Sequence, residues 1–305
     1  MAKPILVTGA AGRVGGVGRT ITELLLNQGK TVRAMVRTED KRAQELRDLG
    51  AEVVVGDLLD LESMHLAIGG CETMYFGMSV SDTYLAATVN AAAVAKHHGV
   101  KAFINMSQMT VSQMSITETT ASPQQKLHWL AEQALNWSGL PVTHVRPTAL
   151  FEGSFLILTA DSVRGSNQIR LPFGEGKTSP IAVEDVARVI VTLLADPQPH
   201  VGKIYNLTGP ESKNMHFYAQ EYSEALGRTI TYQDIPDGPW RDGLLERGLS
   251  VYLVDHLATM ADLHRAGRYD RLTNDVLTLT GQEPLTVREI VRKNAAAFTA
   301  SAKAA

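Results

Sequence analysis

The feature that most limits how this chain can fold is the alternation that fills its first 150 residues. Six short runs are rich in β-branched and other apolar residues: PILVTG (4–9), TVRAMVR (31–37), AEVVVGD (51–57), ETMYFGM (72–78), KAFINMS (101–107) and PVTHVRP (141–147). Each reads as a buried strand. Between them lie stretches with helical period. Leu85, Val89, Ala92 and Ala93 recur at helical spacing and stop at Gly99; Leu127, Leu130, Ala131, Ala134 and Leu135 do the same and stop at Gly139. Ser122, Pro123 and Gln125 give the second helix a start signal, a capping residue followed by proline and a Ser-x-x-Gln box. Repeated β-α units with nearly continuous apolar strands require a parallel sheet covered on both faces. Right-handed crossovers make a doubly wound α/β sheet the favoured topology.

After Pro147 the rhythm loosens. VEDVARVIVTLLADP (183–197) is a clear helix with Val186, Val189, Ile190, Leu193 and Leu194 on one face, and KIYNLTGP (203–210) follows as a strand and turn. From about Glu211 the chain reads mostly helical, including a capping box at Thr286 and Glu289. Residues 1–150 with 181–210 are therefore expected to form the sheet domain, and 151–180 with 211–300 a smaller, helix-rich lobe. The formal charge of -3 is spread without basic blocks, so neither nucleic acid nor an anionic membrane is an expected partner. Cys71 is the only cysteine, which excludes an internal disulfide. The first apolar run is too short for a signal peptide or a membrane span, and a cytoplasmic location is expected. A homodimer is the default oligomer.

The turn after the first strand carries five glycines in TGAAGRVGGVGRTITELLL (8–26). Gly9, Gly12 and Gly15 fit a GxxGxxG phosphate-binding turn, whose glycines let a pyrophosphate approach free N–H groups at a helix start. Gly16 and Gly18 are additional. One reading starts the helix near Val14 and tolerates them. The other extends the loop to Arg19, with Thr20 and Glu23 as a capping box. An interior glycine costs a helix about 1 kcal/mol relative to alanine, which favours the longer loop, with about two residues added.

The end of the second strand bears on which dinucleotide binds. An NAD site usually places Asp or Glu there, to bond the ribose 2′-hydroxyl. This chain has Arg37 at that point and acids only at Glu39 and Asp40. A guanidinium suits a 2′-phosphate, with Arg13 as a second contact or stacked on adenine and Arg19 a weaker third, so NADP(H) is favoured over NAD. The alternative for Arg37 is a solvated strand-end cation. Asp57, closing the third strand, is placed either to accept from an adenine amino group or to cap the following helix.

Together, TGAAGRVG, VRAMVR, VVVGDLLD, HWLAEQALNWSGLPVTHVRPT, PIAVEDVARV, IYNLTGPE and LTGQEPLTVREIV resemble, in order, the NmrA-like family of atypical short-chain dehydrogenases/reductases. The resemblance runs over nearly the whole chain, and among relatives it points to bacterial NAD(P)H-dependent reductases of quinones, triphenylmethane dyes, azo compounds or imines. It implies a Rossmann-like domain binding NADP(H), with a C-terminal lobe closing over the nicotinamide. The family's cofactor positions fall on Gly9, Gly12, Arg13, Val14, Arg37, Asp57 and Leu58, with Gly15 inside the glycine turn. Gly77, Met78 and Ser79 would line the ribose, and Ser107 would lie close to the nicotinamide ribose. The Gly16–Gly18 segment departs from the commoner pattern.

The chemistry departs further. Superfamily enzymes typically use Tyr-x-x-x-Lys, and none of the eight tyrosines here has lysine four positions later. Aligning Glu132 with the acid that often follows that lysine puts His128 at the lysine position and Gln124 at the tyrosine position. His128 then reads as a proton donor with a pKa near neutrality, as a ribose ligand, or as a helix-face histidine paired with Glu132. Phe151, Phe155 and Trp240 read as an aromatic substrate wall or as plain core. The nine histidines show no tight ligand spacing and one cysteine offers no thiolate site, so no metal is expected. No G-x-S-x-G turn indicates a serine hydrolase. The favoured function is an NADPH-dependent reductase of a small conjugated or aromatic electrophile. The alternative is a non-catalytic NADP(H)-sensing regulator.

Overall fold

The computed structural model describes residues 3–12 and 16–299. Its sheet contains all six strands expected in the first half: β1 (Ile5–Val7), β2 (Val32–Val36), β3 (Glu52–Val55), β4 (Thr73–Phe76), β5 (Ala102–Met106) and β6 (Val142–Pro147). Helices α1 (Val17–Asn27), α2 (Lys41–Asp48), α3 (Leu61–Ile68), α4 (Tyr84–His97) and α5 (Pro123–Trp137) join them. A wide turn at Phe151–Phe155 then leads into α6 (Leu156–Ser166), β7 (Gln168–Leu171), α7 (Val183–Ala195) and β8 (Ile204–Leu207). The remainder is α8 (Met215–Leu226), β9 (Thr231–Asp234), α9 (Asp237–Glu246), α10 (Val251–Arg265), α11 (Asp275–Thr280), α12 (Val287–Lys293) and α13 (Ala295–Phe298).

The seven-stranded sheet has the order β3-β2-β1-β4-β5-β6-β8 and is parallel throughout. This is the Rossmann-like doubly wound arrangement, with its winding reversal between β1 and β4. Side chains alternate across the sheet, as strand geometry requires. Ile5 and Val7 join the core under α1 and α7, while Leu6 joins the opposite core under α3, α4 and α5. Ile21 and Leu25 of α1 are wholly buried, each contributing about 1.5–3 kcal/mol by burial. A third core holds Phe151, Phe155, Tyr222, Trp240 and Phe298 among the C-terminal helices, beside the two-stranded parallel pair β7–β9.

Several local expectations are corrected. Helix α1 starts at Val17, between the two expected starts, after Gly16 in the left-handed region at φ 62°. Thr20 does not cap; its hydroxyl donates to the Gly16 carbonyl at 3.1 Å, and Glu23 pairs with Arg19. Gly18 is therefore helical, and its missing side chain has a physical cause. A Cβ there would stand 2.6 Å from the Gly9 carbonyl oxygen, so the helix reaches the turn only through glycine. On α4 the buried stripe is Ala87, Ala91 and Ala95, and Val89 is exposed, because close α4–α5 packing selects small residues over larger apolar ones. The start of α5 matches expectation in part: Ser122 Oγ accepts from the Gln125 N–H at 3.3 Å with Pro123 at the first position. The capping box at Thr286 and Glu289 forms completely.

Candidate functional site

The carboxyl ends of β1 to β5 converge where the winding reverses. At β1, the Thr8 hydroxyl accepts from the Gly77 N–H at 2.9 Å and donates to the Gly77 carbonyl at 3.0 Å, locking the ends of β1 and β4 together. Gly9 follows at φ +66°, and a Cβ on it would sit 2.8 Å from the Gly77 carbonyl oxygen. Only glycine satisfies both the backbone sign and the contact. The Gly12 N–H closes the turn on the Gly9 carbonyl at 3.1 Å. Arg13, Val14 and Gly15 lie outside the described residues.

At the end of β2, Arg37 is exposed and has no hydrogen-bond or ion-pair partner among the described residues. Its acidic neighbours are engaged elsewhere. Glu39 pairs with Arg47, with Nη2 to Oε2 at 2.9 Å, and that guanidinium holds its carboxyl below the usual range. Asp40 caps α2 by accepting from the Arg42 and Ala43 N–H groups, and the Arg42 side chain lowers its pKa. Arg42 also donates from Nη1 to the Ala11 carbonyl at 2.7 Å, fastening α2 to the glycine turn. Arg19 is taken up by Glu23 and Glu45 at 2.9 and 2.5 Å. At the end of β3, Asp57 is exposed, and one carboxylate oxygen accepts from the Leu59 N–H at 2.9 Å. The capping reading of Asp57 is corrected, because Asp60 caps α3. Leu58 beside it is half-buried.

Beyond β4, Met78 is half-buried and Ser79 exposed, and the Ser81 N–H donates to Gln124 Oε1 at 3.1 Å. The Tyr252 hydroxyl donates to the same oxygen at 3.0 Å. Tyr84 donates to the Met106 carbonyl at 2.9 Å, and the His128 ring lies against Tyr84 with centroids 4.0 Å apart. Gln124 and His128 are thereby set beside the ends of β4 and β5. Ser107 Oγ, Gln124 Nε2 and His128 Nδ1 are all buried without a partner among the described residues.

His128 does not have the near-neutral pKa expected of it. Burial, with His256 nearby, pushes the imidazole down to about 3, so it is neutral at physiological pH. Nor does it pair with Glu132, which is 1% exposed and holds the Arg146 guanidinium of β6, Nε to Oε1 at 2.9 Å. Of the three aromatics, Phe151 is wholly buried in the lobe core. Phe155 and Trp240 border an enclosed cavity of about 10 Å³, room for one water, also lined by Phe173, Met260 and His264. The open groove lies elsewhere: about 610 Å³ bounded by Gln113, Thr117–Thr120 and Arg268, on the segment that follows Ser107.

The fold also joins groups that no local pattern connects. Tyr252 and His256 arrive from α10, with His256 Nδ1 hydrogen-bonded to Ser122 Oγ at 2.8 Å. Thr8 and Arg42 carried a usable signal, the first preceding Gly9 and the second following a capping acid by two residues. At the opposite, amino edge of the sheet, His65, His97 and His98 bring their ring nitrogens within 4.8 Å of one another. This corrects the expectation that no histidines cluster, because α3 and α4 end side by side. Among the described residues, no helix is long and apolar enough to cross a membrane.

The glycine cradle, the unpaired Arg37 and the orphaned buried Ser107 fit a dinucleotide. Comparison with known proteins agrees. The chain is 28% identical over 299 residues to an NAD(P)H azoreductase of Xenophilus azovorans, covering 97% of this chain and 100% of that protein. Its fold matches the NADPH complex of an NADPH-dependent quinone oxidoreductase from Escherichia coli with a TM-score of 0.82 and 24% identity, covering 95% and 99% of the two chains. It also matches NmrA, a negative transcriptional regulator crystallised with NADP, at a TM-score of 0.76 and 19% identity over 96% and 95%. The profile of a family described as NAD(P)H-binding matches residues 9–197. The chain belongs to this NAD(P)H-binding family, and its cofactor is NAD(P)H.

Proposed function

We propose that the protein is an NADPH-dependent reductase of small conjugated electrophiles of the quinone, azo or imine type. Residues 1–150 with 181–210 would hold the cofactor, and 151–180 with 211–300 would shape the acceptor site. The likeness to the azoreductase over the whole length of both chains carries this reading. The azoreductase relative supports the acceptor class.

Gly9, Gly12 and Gly77 admit the pyrophosphate against the backbone, and the start of α1 directs its N–H groups there. Arg37 binds the 2′-phosphate, while Arg42, held by Asp40 and the Ala11 carbonyl, braces the turn beside it. The acids that could have bonded a 2′-hydroxyl, Glu39 and Asp40, are committed to Arg47 and to the cap of α2. Asp57 accepts from the adenine amino group, with Leu58 against the ring. Met78, Ser79 and Ser107 bond or line the nicotinamide ribose. Within the undescribed part of the turn, Arg13, Val14 and Gly15 complete the phosphate contacts.

When bound, the reduced nicotinamide supplies a hydride. His128, neutral, bonds the ribose and fixes its orientation instead of delivering a proton. The proton that balances hydride addition to a C=O, N=N or C=N bond comes from solvent. Consumption of NADPH by the purified protein, measured against quinones, azo dyes and cyclic imines with NADH in parallel, tests the proposal. Turnover with at least one acceptor class is expected. Tight NADPH binding with no turnover across the panel would favour the sensor.

A further inference from the structure

We infer that His65, His97 and His98 form a binding site for a divalent late-transition-metal ion, zinc(II) in the first instance, which clasps α3 to α4. The three rings each offer a nitrogen, all within 4.8 Å of one another, and His98 Nε2 lies 3.0 Å from His65 Nδ1. A tetrahedral zinc with Zn–N bonds of about 2.0–2.1 Å sets neighbouring ligand nitrogens about 3.4 Å apart. The observed spacing brackets that value. One ring nitrogen of the His65–His98 pair must carry the shared hydrogen in the metal-free protein; when the ion binds there, that hydrogen passes through solvent to the other nitrogen of the same ring, so the ring stays neutral.

Two further observations point to a cation. His65 sits in the last turn of α3, His97 ends α4 and His98 is its C-cap. The negative end of the α4 dipole thus meets the cluster, which favours positive charge. The adjacent Lys96 ammonium is drawn to the Gly139 carbonyl at 3.1 Å. The frame is also fixed in advance: Arg33 donates from Nη1 to the Ala67 and Gly69 carbonyls at 2.9 and 2.7 Å, holding the end of α3. Imidazole donors alone select zinc, copper or nickel over magnesium or calcium. Three protein ligands leave a fourth position for water. His65 and His97 are exposed, so the ion has an entry path.

The site lies at the amino edge of the sheet, away from the glycine turn, and assigns the ion a role in tying helices together. Equilibrium dialysis of the untagged, full-length protein against zinc(II), with the metal counted by atomic emission, tests it. One zinc per chain is expected, with a rise in Tm on loading. His65→Gln or His98→Gln is expected to weaken binding by more than tenfold, since loss of an outer-shell partner alone costs about 10–100-fold. His216→Gln, at an exposed histidine 3.3 Å from Glu175, is expected to leave it unchanged. Equal zinc binding by wild type and a variant with all three histidines replaced would overturn the inference, as would wild type that binds none. A measurement without variants gives an independent check: zinc should protect His65, His97 and His98, but not His216, from acylation by diethyl pyrocarbonate. Equal labelling with and without zinc would also overturn it.

Discussion

Gly18→Ala sets two physical effects against each other. Helix propensity alone favours the change by at most about 1 kcal/mol, because Gly18 is the second residue of α1. The added methyl, however, would stand 2.6 Å from the Gly9 carbonyl oxygen, 2.8 Å from the Gly9 carbonyl carbon and 3.0 Å from the Ala10 nitrogen. All three are backbone atoms, so no side-chain rotation relieves the contact. Overpacking of this kind costs about 1–3 kcal/mol, which exceeds the propensity gain and leaves a net loss of order 1 kcal/mol. Relief requires Gly9 to move, and Gly9 is pinned against Gly77. The larger effect should therefore appear in cofactor binding. Gly165→Ala in α6 is the control, because its Cβ would meet nothing within 4 Å and only the propensity term applies. Thermal unfolding and NADPH fluorescence titration of both variants check this. Gly165→Ala should gain stability and bind normally, and Gly18→Ala should lose stability and bind at least tenfold more weakly. A stabilised Gly18→Ala with normal affinity would refute the close-packing argument.

Arg37→Ala should weaken NADPH by about 10–100-fold, the worth of a charge-assisted phosphate contact of about 1.5–3 kcal/mol, and leave NADH nearly unchanged; equal losses by titration would remove Arg37 from the phosphate site. Glu132→Gln should destabilise the fold by about 3–5 kcal/mol in urea, because Arg146 loses its buried partner, and Glu132→Gln with Arg146→Met should recover part of that; no recovery would argue against the ion pair as the cause. Acid should also destabilise the protein. Burial lowers His128 to about 3 and His256 and His264 to about 4, against about 6.5 in the unfolded chain. Unfolding then takes up protons, so their contribution is complete above about pH 7 and is lost as pH falls from 6.5 toward 4, each by at most about 1.4 kcal/mol per unit. His264→Phe keeps the stack between Phe173 and Tyr269 and should flatten the fall of Tm with acid; an unchanged slope would exclude His264 as a contributor.

The sheet was legible because its evidence is local and repeated. Six apolar runs with helical spacers admit few topologies, and the expected strand positions differ from the observed ones by a residue or two. The ends of β1, β2 and β3 were legible for the same reason, since Arg37 follows its strand directly and Gly9 and Asp57 follow theirs after one residue. What local pattern did not carry was selection by tertiary contact. Helical period alone ranks Val89 above Ala91, yet close packing between α4 and α5 buries the alanine and leaves the valine out. The five glycines were ambiguous because their two uses, a left-handed backbone at Gly16 and a missing Cβ at Gly18, look alike in a sequence. Neighbours distant in the chain were hidden altogether. Glu132 meets Arg146 instead of His128, and Tyr252 reaches Gln124 from α10. His65 joins His97 and His98 only once α3 and α4 are laid side by side. Burial changed the chemistry of His128 in a way its position does not announce.

The decisive measurement is deuteride transfer. NADPH deuterated at C4 of the nicotinamide, on either face in separate samples, is mixed with the purified protein and each acceptor class, and the products are read by mass spectrometry. Appearance of one deuterium in a reduced carbon acceptor such as a cyclic imine, from one face only, with oxidised cofactor in equal amount, is the result expected of a reductase that orients its cofactor as proposed. Saturated cofactor binding, with the label retained and every acceptor unchanged, would contradict it.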